Sequence, residues 1–203
     1  MATKTRQRLP RAQREERMLD AAEAVFGRQG FHAASMDEIA RRSGITKALL
    51  YQYFGSKDGL CEACVERSRA RLFEALREAI DAVPLGEGKV VAFIKGYFDH
   101  VEANRSSMWL LYAEASTTAV TAMRQRSAEL IAELLRDGFA ELDRKPDPKS
   151  LELLAQHLVG AGEQVARWWT DHPEVSKKVV TARFLESAGG AIRAVFETTP
   201  QRR

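Results

Sequence analysis

Large apolar residues recur along this chain at steps of three and four, the spacing that lays a stripe along an α-helix. No run alternates apolar and polar residues long enough for a half-buried strand, and no Asn-Gly turn joins two apolar stretches. Met18, Ala22, Val25 and Phe26 mark the first stripe. Pro10 opens that helix where a missing N–H costs nothing, and Gly30 is placed to stop it. Ser35-Met-Asp-Glu38 has the spacing of a capping box, with Ser35 accepting from the backbone N–H of residue 38 and Glu38 reaching back. The short helix it starts turns Met36, Ile39 and Ala40 inward and ends near Ser43-Gly44. A third helix spans about 46 to 54. Gly55-Ser56 breaks it and a long fourth helix begins near Lys57.

That fourth helix carries Leu60, Val65, Leu72, Phe73, Leu76 and Ile80 to about Val83. Beyond a loop at Pro84–Gly88, the pattern predicts helices over about 89–104, 106–115, 118–142, 149–170 and 174–197, or about nine in all. The loops at Lys145–Pro148 and Asp171–Pro173 hold the remaining prolines between helices. The expected class is all-α: a three-helix unit over residues 1–56 and a larger helical domain over 57–203. Isolated helices shorter than about 12 residues are marginal in water. The third helix, with Leu49, Leu50, Tyr51, Tyr53 and Phe54, must therefore be held by its neighbours. It also has more rings than one apolar stripe can bury.

Charge adds a direction to this layout. The whole chain is +3, but residues 1–70 hold 13 lysines and arginines against 9 acidic residues, while the rest is close to neutral. Lys4, Arg6, Arg8, Arg11, Arg14 and Arg17 crowd the first 17 positions. Such an arm is either a solvated tail or a grip for a polyanion. No 18-residue apolar run exists to span a membrane, and the N-terminus lacks the apolar stretch of a secretory signal, so a cytoplasmic location is expected. Two cysteines cannot build a disulfide framework. Cys61 and Cys64, three apart on one helix face, read as small buried residues rather than half of a zinc or redox site.

Enzymatic chemistry has no foothold in the motifs. There is no G-x-S-x-G, no H-E-x-x-H and no glycine-rich phosphate loop, and His32, His100, His157 and His172 show no ligand spacing. The expectation is a protein that is not an enzyme and needs no cofactor and no metal.

Three short helices with Gly44 in the turn between the second and third have the outline of a helix-turn-helix, whose second helix enters the major groove. The residues go further. Ala22-x-x-x-Phe26, Gly30-Phe31, the Ser35 cap, Ile39-Ala-Arg-Arg-Ser-Gly-Ile45, Leu50-Tyr-Gln-Tyr-Phe-Gly-Ser-Lys57 and Leu60 follow in order without a gap. Over this stretch, about a quarter of the chain, the sequence resembles the DNA-binding domain of the tetracycline-repressor (TetR) family of bacterial regulators. The resemblance implies that Ser35, Thr46, Lys47, Ala48, Tyr51, Tyr53 and Lys57 face double-stranded DNA. The tyrosines would offer hydroxyls to phosphates, and Lys57 a charge beside a helix N-terminus. Asp37 departs from the polar or basic residue some members carry nearby, so no contact is carried onto it.

The resemblance further implies a ligand pocket in the larger domain and a homodimer built on the last two helices, bound to a near-palindromic operator. Ala161-Gly162 and Ala188-Gly-Gly-Ala191 suit a close helix approach, across a dimer or within one chain. Phe93, Tyr97, Trp109, Tyr112, Met123, Trp168 and Trp169 are candidate pocket walls. His100, Glu114, Glu163 and Gln164 are candidate polar handles, though aromatics at helical spacing also serve as plain core. The expected function is a DNA-binding repressor released by a small apolar or aromatic effector. The rival is a family member working through architecture or a protein partner, with no effector.

Overall fold

A computed structural model describes residues 10–84, 88–105, 108 and 118–199, with side chains from 121 onward in the last stretch. Among them the chain forms eight helices: α1 (Arg11–Ala33), α2 (Met36–Ser43), α3 (Lys47–Phe54), α4 (Lys57–Asp81), α5 (Gly88–Ala103), α6 (Thr118–Glu141), α7 (Pro148–Asp171) and α8 (Lys177–Thr198). Apart from Met108, the helix expected over 106–115, with Trp109, Tyr112 and Glu114, lies outside the described residues. No described helix is long and apolar enough to cross a membrane.

The chain divides into two compact units, Met1–Ser68 and Arg69–Arg203. The division falls within α4. The reason lies in what the first half of α4 packs against. Leu60 and Cys64 are fully buried together with Met18, Ala22, Val25 and Phe26 of α1, Ile39 of α2 and Leu50 of α3. The anticipated stripe is therefore the core of the first unit. Burying side chains of this size stabilises by roughly 1.5–3 kcal/mol each.

Three glycines with positive φ join these short elements: Gly30 (φ 73), Gly44 (φ 70) and Gly55 (φ 73). Gly30 breaks α1 without ending it, and the helix resumes to Ala33. The expected capping box is not formed. Ser35 Oγ accepts from Asp37 N–H at 3.2 Å, while the Glu38 carboxylate takes Arg28 Nη2 and Gln29 Nε2, each at 2.8 Å. Two donors from the end of α1 outcompete one local amide. The Gln29 bond, with Arg28 beside it, holds Glu38 below the ordinary carboxylate range against some desolvation.

Arg67 pins α4 to α1. Its side chain is 9% exposed and meets Glu16 at 2.7 Å, Asp20 at 2.9 Å and Glu23 at 2.9 Å, with a further bond to the Glu16 carbonyl. Desolvation works against its charge, and Glu23, Glu16 and Asp20 together outweigh that cost. On the same helix, burial raises Cys61 to about 11 and pushes Cys64, whose Sγ faces the Leu19 carbonyl, further still. A thiol that keeps its proton is a poor nucleophile and a poor metal ligand.

In the second unit α5, α6, α7 and α8 enclose a core that includes Phe98, Trp169, Leu158, Ile131 and Phe184. Phe98 packs edge-on against both Trp169 and Phe184. Helix α8 starts at Lys177, later than the expected 174, because Trp169 Nε1 donates to the Val175 carbonyl at 2.6 Å and holds that residue in the turn. The small residues of the last two helices split between two roles. Gly162 and Ala188 are buried, Gly162 against Phe184 and Tyr97. Gly160 and Gly190 are exposed, with nothing near the Cβ they lack.

Replacing Arg67 with Met keeps the stem but removes the cation shared by Glu16, Asp20 and Glu23. Exposed ion pairs are worth about 0–1 kcal/mol, and breaking a buried one costs about 3–5. Arg67→Met is expected to lower unfolding free energy by about 2–3 kcal/mol in urea titrations. A loss below about 0.5 kcal/mol would mean the three carboxylates do not act together on this cation.

Candidate nucleic-acid interface and effector cavity

Helix α3 owes its position to both of its ends. Thr46 caps it by accepting from Leu49 N–H at 3.2 Å, and Gly55 closes it through a bond to the Tyr51 carbonyl at 2.7 Å. A Cβ on Gly59 would collide with the Phe54 carbonyl oxygen, so α4 starts hard against the end of α3. Within α3 only Leu50 is fully buried, while Lys47, Ala48, Tyr51 and Gln52 are exposed. At roughly 100° per residue these four occupy one broad face. Thr46 and Ser35 are exposed as well, at the N-termini of α3 and α2. Gln52 was not singled out from the sequence, and only the burial of Leu50 shows that it shares this face.

The two tyrosines do not act together. Two residues apart, they point about 200° away from each other. Tyr51 is 41% exposed. Tyr53 is half-buried, with the guanidinium carbons of Arg11 and Arg14 at 5.4 Å and 5.9 Å from its ring centroid. Lys47 Nζ sits 2.8 Å from Asp37 Oδ2, and that hydrogen bond raises the lysine's proton affinity. The odd acidic residue of α2 is thus the partner of the lysine of α3. Lys57 donates to the His32 carbonyl at 3.0 Å with its ammonium 4.7 Å above the Phe31 ring, so it also ties α4 to the end of α1. An ammonium has three hydrogens, and His32 takes one.

In the second unit, Phe93, Tyr97 and Met123 line one cavity with Leu72 and Leu76 of α4, Ile131, Gly162 and Phe184. Its free volume is about 40 Å³. That is far below the roughly 300–1,000 Å³ of ligand pockets. Glu163 and Ser127 are its polar edge, and Arg124 Nε pairs with Glu163 at 2.8 Å. Trp168 does not line it. That residue is 46% exposed and stacks on His172 at 4.3 Å. Trp169 is core, and Gln164 is exposed. His100 is buried beside Asn104, and desolvation with the charge of Arg71 lowers its proton affinity.

A second apolar space of about 570 Å³ lies between α5, α6 and α8, lined by Val90, Leu134, Phe139, Ile192 and Phe196 with Arg193 and Glu197. None of the expected wall residues among the described ones belongs to it. Ile94 lines both spaces. The gap opens where Gly138 and Gly189 on facing helices carry no side chain, a coincidence in three dimensions that neither helix shows alone. Among the described residues no cluster of histidine, cysteine, aspartate or glutamate is arranged to hold a metal.

Comparison with known proteins agrees with this geometry. Residues 18–64 match the family model of the bacterial regulatory proteins of the tetR family, and residues 87–188 match a tetracyclin repressor-like C-terminal domain. The chain is 30% identical to the HTH-type transcriptional activator FasR of Mycolicibacterium smegmatis, over 81% of this chain and 76% of that protein. A TetR-like transcriptional regulator from Rhodococcus sp. RHA1 superposes with a TM-score of 0.75 at 36% identity, over 89% of this chain and 96% of the other. The regulator FadR from Bacillus subtilis, solved with stearoyl-CoA, shares the fold with a TM-score of 0.71 at 16% identity, over 89% and 96%. With both of its parts matched by family models, the chain belongs to the TetR family of DNA-binding transcriptional regulators.

Proposed function

We propose that the protein is a homodimeric, cytoplasmic regulator whose hold on a near-palindromic operator is released by an apolar effector. The observation that carries this reading is α4. One continuous helix bears Arg67, which grips α1 of the DNA-binding unit, and Leu72 and Leu76, which line the smaller cavity. A ligand that reshapes the wall at Leu72 and Leu76 displaces the helix that carries the head. It releases DNA only as far as it favours the displaced state.

At the DNA, Lys47, Ala48, Tyr51 and Gln52 present the groove face. Tyr51 gives its hydroxyl to a phosphate, and Lys57 adds charge at the start of α4. Lys47 reaches a guanine edge once DNA draws it from Asp37, and Gln52 has the amide pair that suits adenine. The dimer rests on the outward stripe of α7, where Leu153, His157, Gly160, Gln164 and Trp168 are all exposed, and on the open Gly190 of α8. Leu153 is 71% exposed, a cost that a partner helix would relieve.

The effector is an apolar molecule with a long axis, because Ile94 lines both apolar spaces. The Bacillus subtilis neighbour, which shares the fold, was solved with a long-chain acyl thioester and supports that class. Repression is the simplest outcome of an operator lying across a promoter. The activator named among the relatives favours a second reading, in which the same release of DNA lowers transcription.

Two experiments test this. Operator titration by fluorescence anisotropy should show Lys47→Ala relaxing preference at one base pair per half-site by about 1–3 kcal/mol. Tyr51→Phe should weaken all sequences alike. If both bind as wild type, the groove face is wrong. Thermal shifts against saturated fatty acids of graded length and their CoA esters should find a stabilising ligand that also lowers DNA affinity. Tyr97→Ala should weaken that response and leave DNA affinity intact. If no compound in the series shifts the melting temperature, the long apolar class is wrong, and the rival without an effector gains.

A further inference from the structure

Tyr53 was expected to hand its hydroxyl to DNA, yet the structure gives its ring a different task. Arg11 and Arg14 are three apart in the first turn of α1, so they share a face. Both guanidinium groups lie within 6 Å of the one Tyr53 ring, the range in which cation–π attraction is felt. Two like charges on one ring repel each other, and neither has a carboxylate partner among the described residues. The first turn of α1 carries no acidic residue, and Pro10 offers no side-chain cap to its free N–H groups. Arg14 Nε is buried and takes no hydrogen-bond partner among the described residues.

These features converge on one missing component. An anion set against the two guanidinium groups would relieve their repulsion and take the bonds that Arg14 leaves unmade. It would also sit in the positive field of the α1 N-terminus. An arginine fork fits a phosphate by two parallel N–H···O bonds. The same ring is on α3, so the arginines are fixed relative to the exposed Lys47–Tyr51 face.

We propose that Tyr53 is a platform that holds Arg11 and Arg14 as a phosphate clamp for duplex DNA, beside the segment whose groove α3 enters. This rests on the DNA-binding reading above and deepens it. Tyr53 is then a positioning residue that acts through its ring, and the two arginines make the contact. Of the six early cations, Arg11 and Arg14 then serve as a grip for a polyanion.

The test is the salt dependence of binding to a labelled mixed-sequence duplex, which needs no knowledge of the operator. The slope of log K against log salt falls by about 0.9 for each phosphate that the protein ceases to neutralise. The double variant Arg11→Ala with Arg14→Ala changes residues at the start of α1 and is expected to lower the slope by about 0.9–1.8 per head. Tyr53→Leu should lower it by the same amount, and Tyr53→Phe should restore the wild-type slope. With both arginines already removed, Tyr53→Leu should change nothing further. Circular dichroism melts check that each head is folded. If the double arginine variant keeps the wild-type slope, the clamp does not exist. If Tyr53→Phe loses as much as Tyr53→Leu, the hydroxyl touches DNA and the platform is wrong. A wild-type protein that ignores the duplex at low salt would overturn the DNA-binding reading, and this inference with it.

Discussion

Everything in the DNA-binding unit depends on one cation. Helices α2 and α3 have eight residues each and could not stand alone. They are held between α1 and the first half of α4, and Arg67 keeps those two helices together against three carboxylates on α1. Leu60 and Cys64 supply the apolar part of the same contact. The arginine adds direction, because Glu16, Asp20 and Glu23 occupy successive turns of α1 and allow only one register of α4 along it. Lys57 repeats the device one end further on, through the His32 carbonyl and the Phe31 ring.

The consequence for control follows from the length of α4. Arg67 and Leu72 are little more than a turn apart on a helix that runs unbroken from Lys57 to Asp81. In the proposed reading, the effector acts on the same helix that bears Arg67. It only has to prefer a cavity whose Leu72–Leu76 wall is displaced. The smaller cavity is nearly closed, at about 40 Å³, and a ligand must open it. That opening is the differential interaction on which a shift between two states depends. The larger space across Ile94 would supply most of the apolar contact area.

Local pattern carried the elements, and long-range pairing decided the details. Met18, Ala22, Val25, Phe26 and Ile39 were legible as core because helical spacing survives in one dimension, and all five are fully buried. Of the α3 residues that the family motif set toward DNA, Lys47, Ala48 and Tyr51 are exposed and Tyr53 is half-buried. Arg67 was missed, since its partners lie 44 and 51 positions away and no window of sequence brings them together. Glu38 misled for the same reason: the capping spacing was present, but Arg28 and Gln29 arrive from another helix. Phe93, Tyr97 and Met123 were found as a cavity wall, while Trp168 faces outward, because an aromatic at helical spacing does not say which side of the helix is enclosed. The glycines of α7 and α8 divided in the same manner, Gly162 inward and Gly190 outward.

The central claim is that two copies of this chain present their α3 faces to successive grooves of one duplex. Selection of bound sequences from a randomised duplex pool by the purified protein, followed by sequencing, tests it most directly. The predicted result is enrichment of a single half-site in two inverted copies at a fixed spacing. Recovery of one unpaired half-site would contradict the dimer, and a pool that stays random after repeated rounds would contradict the reading of α3 itself.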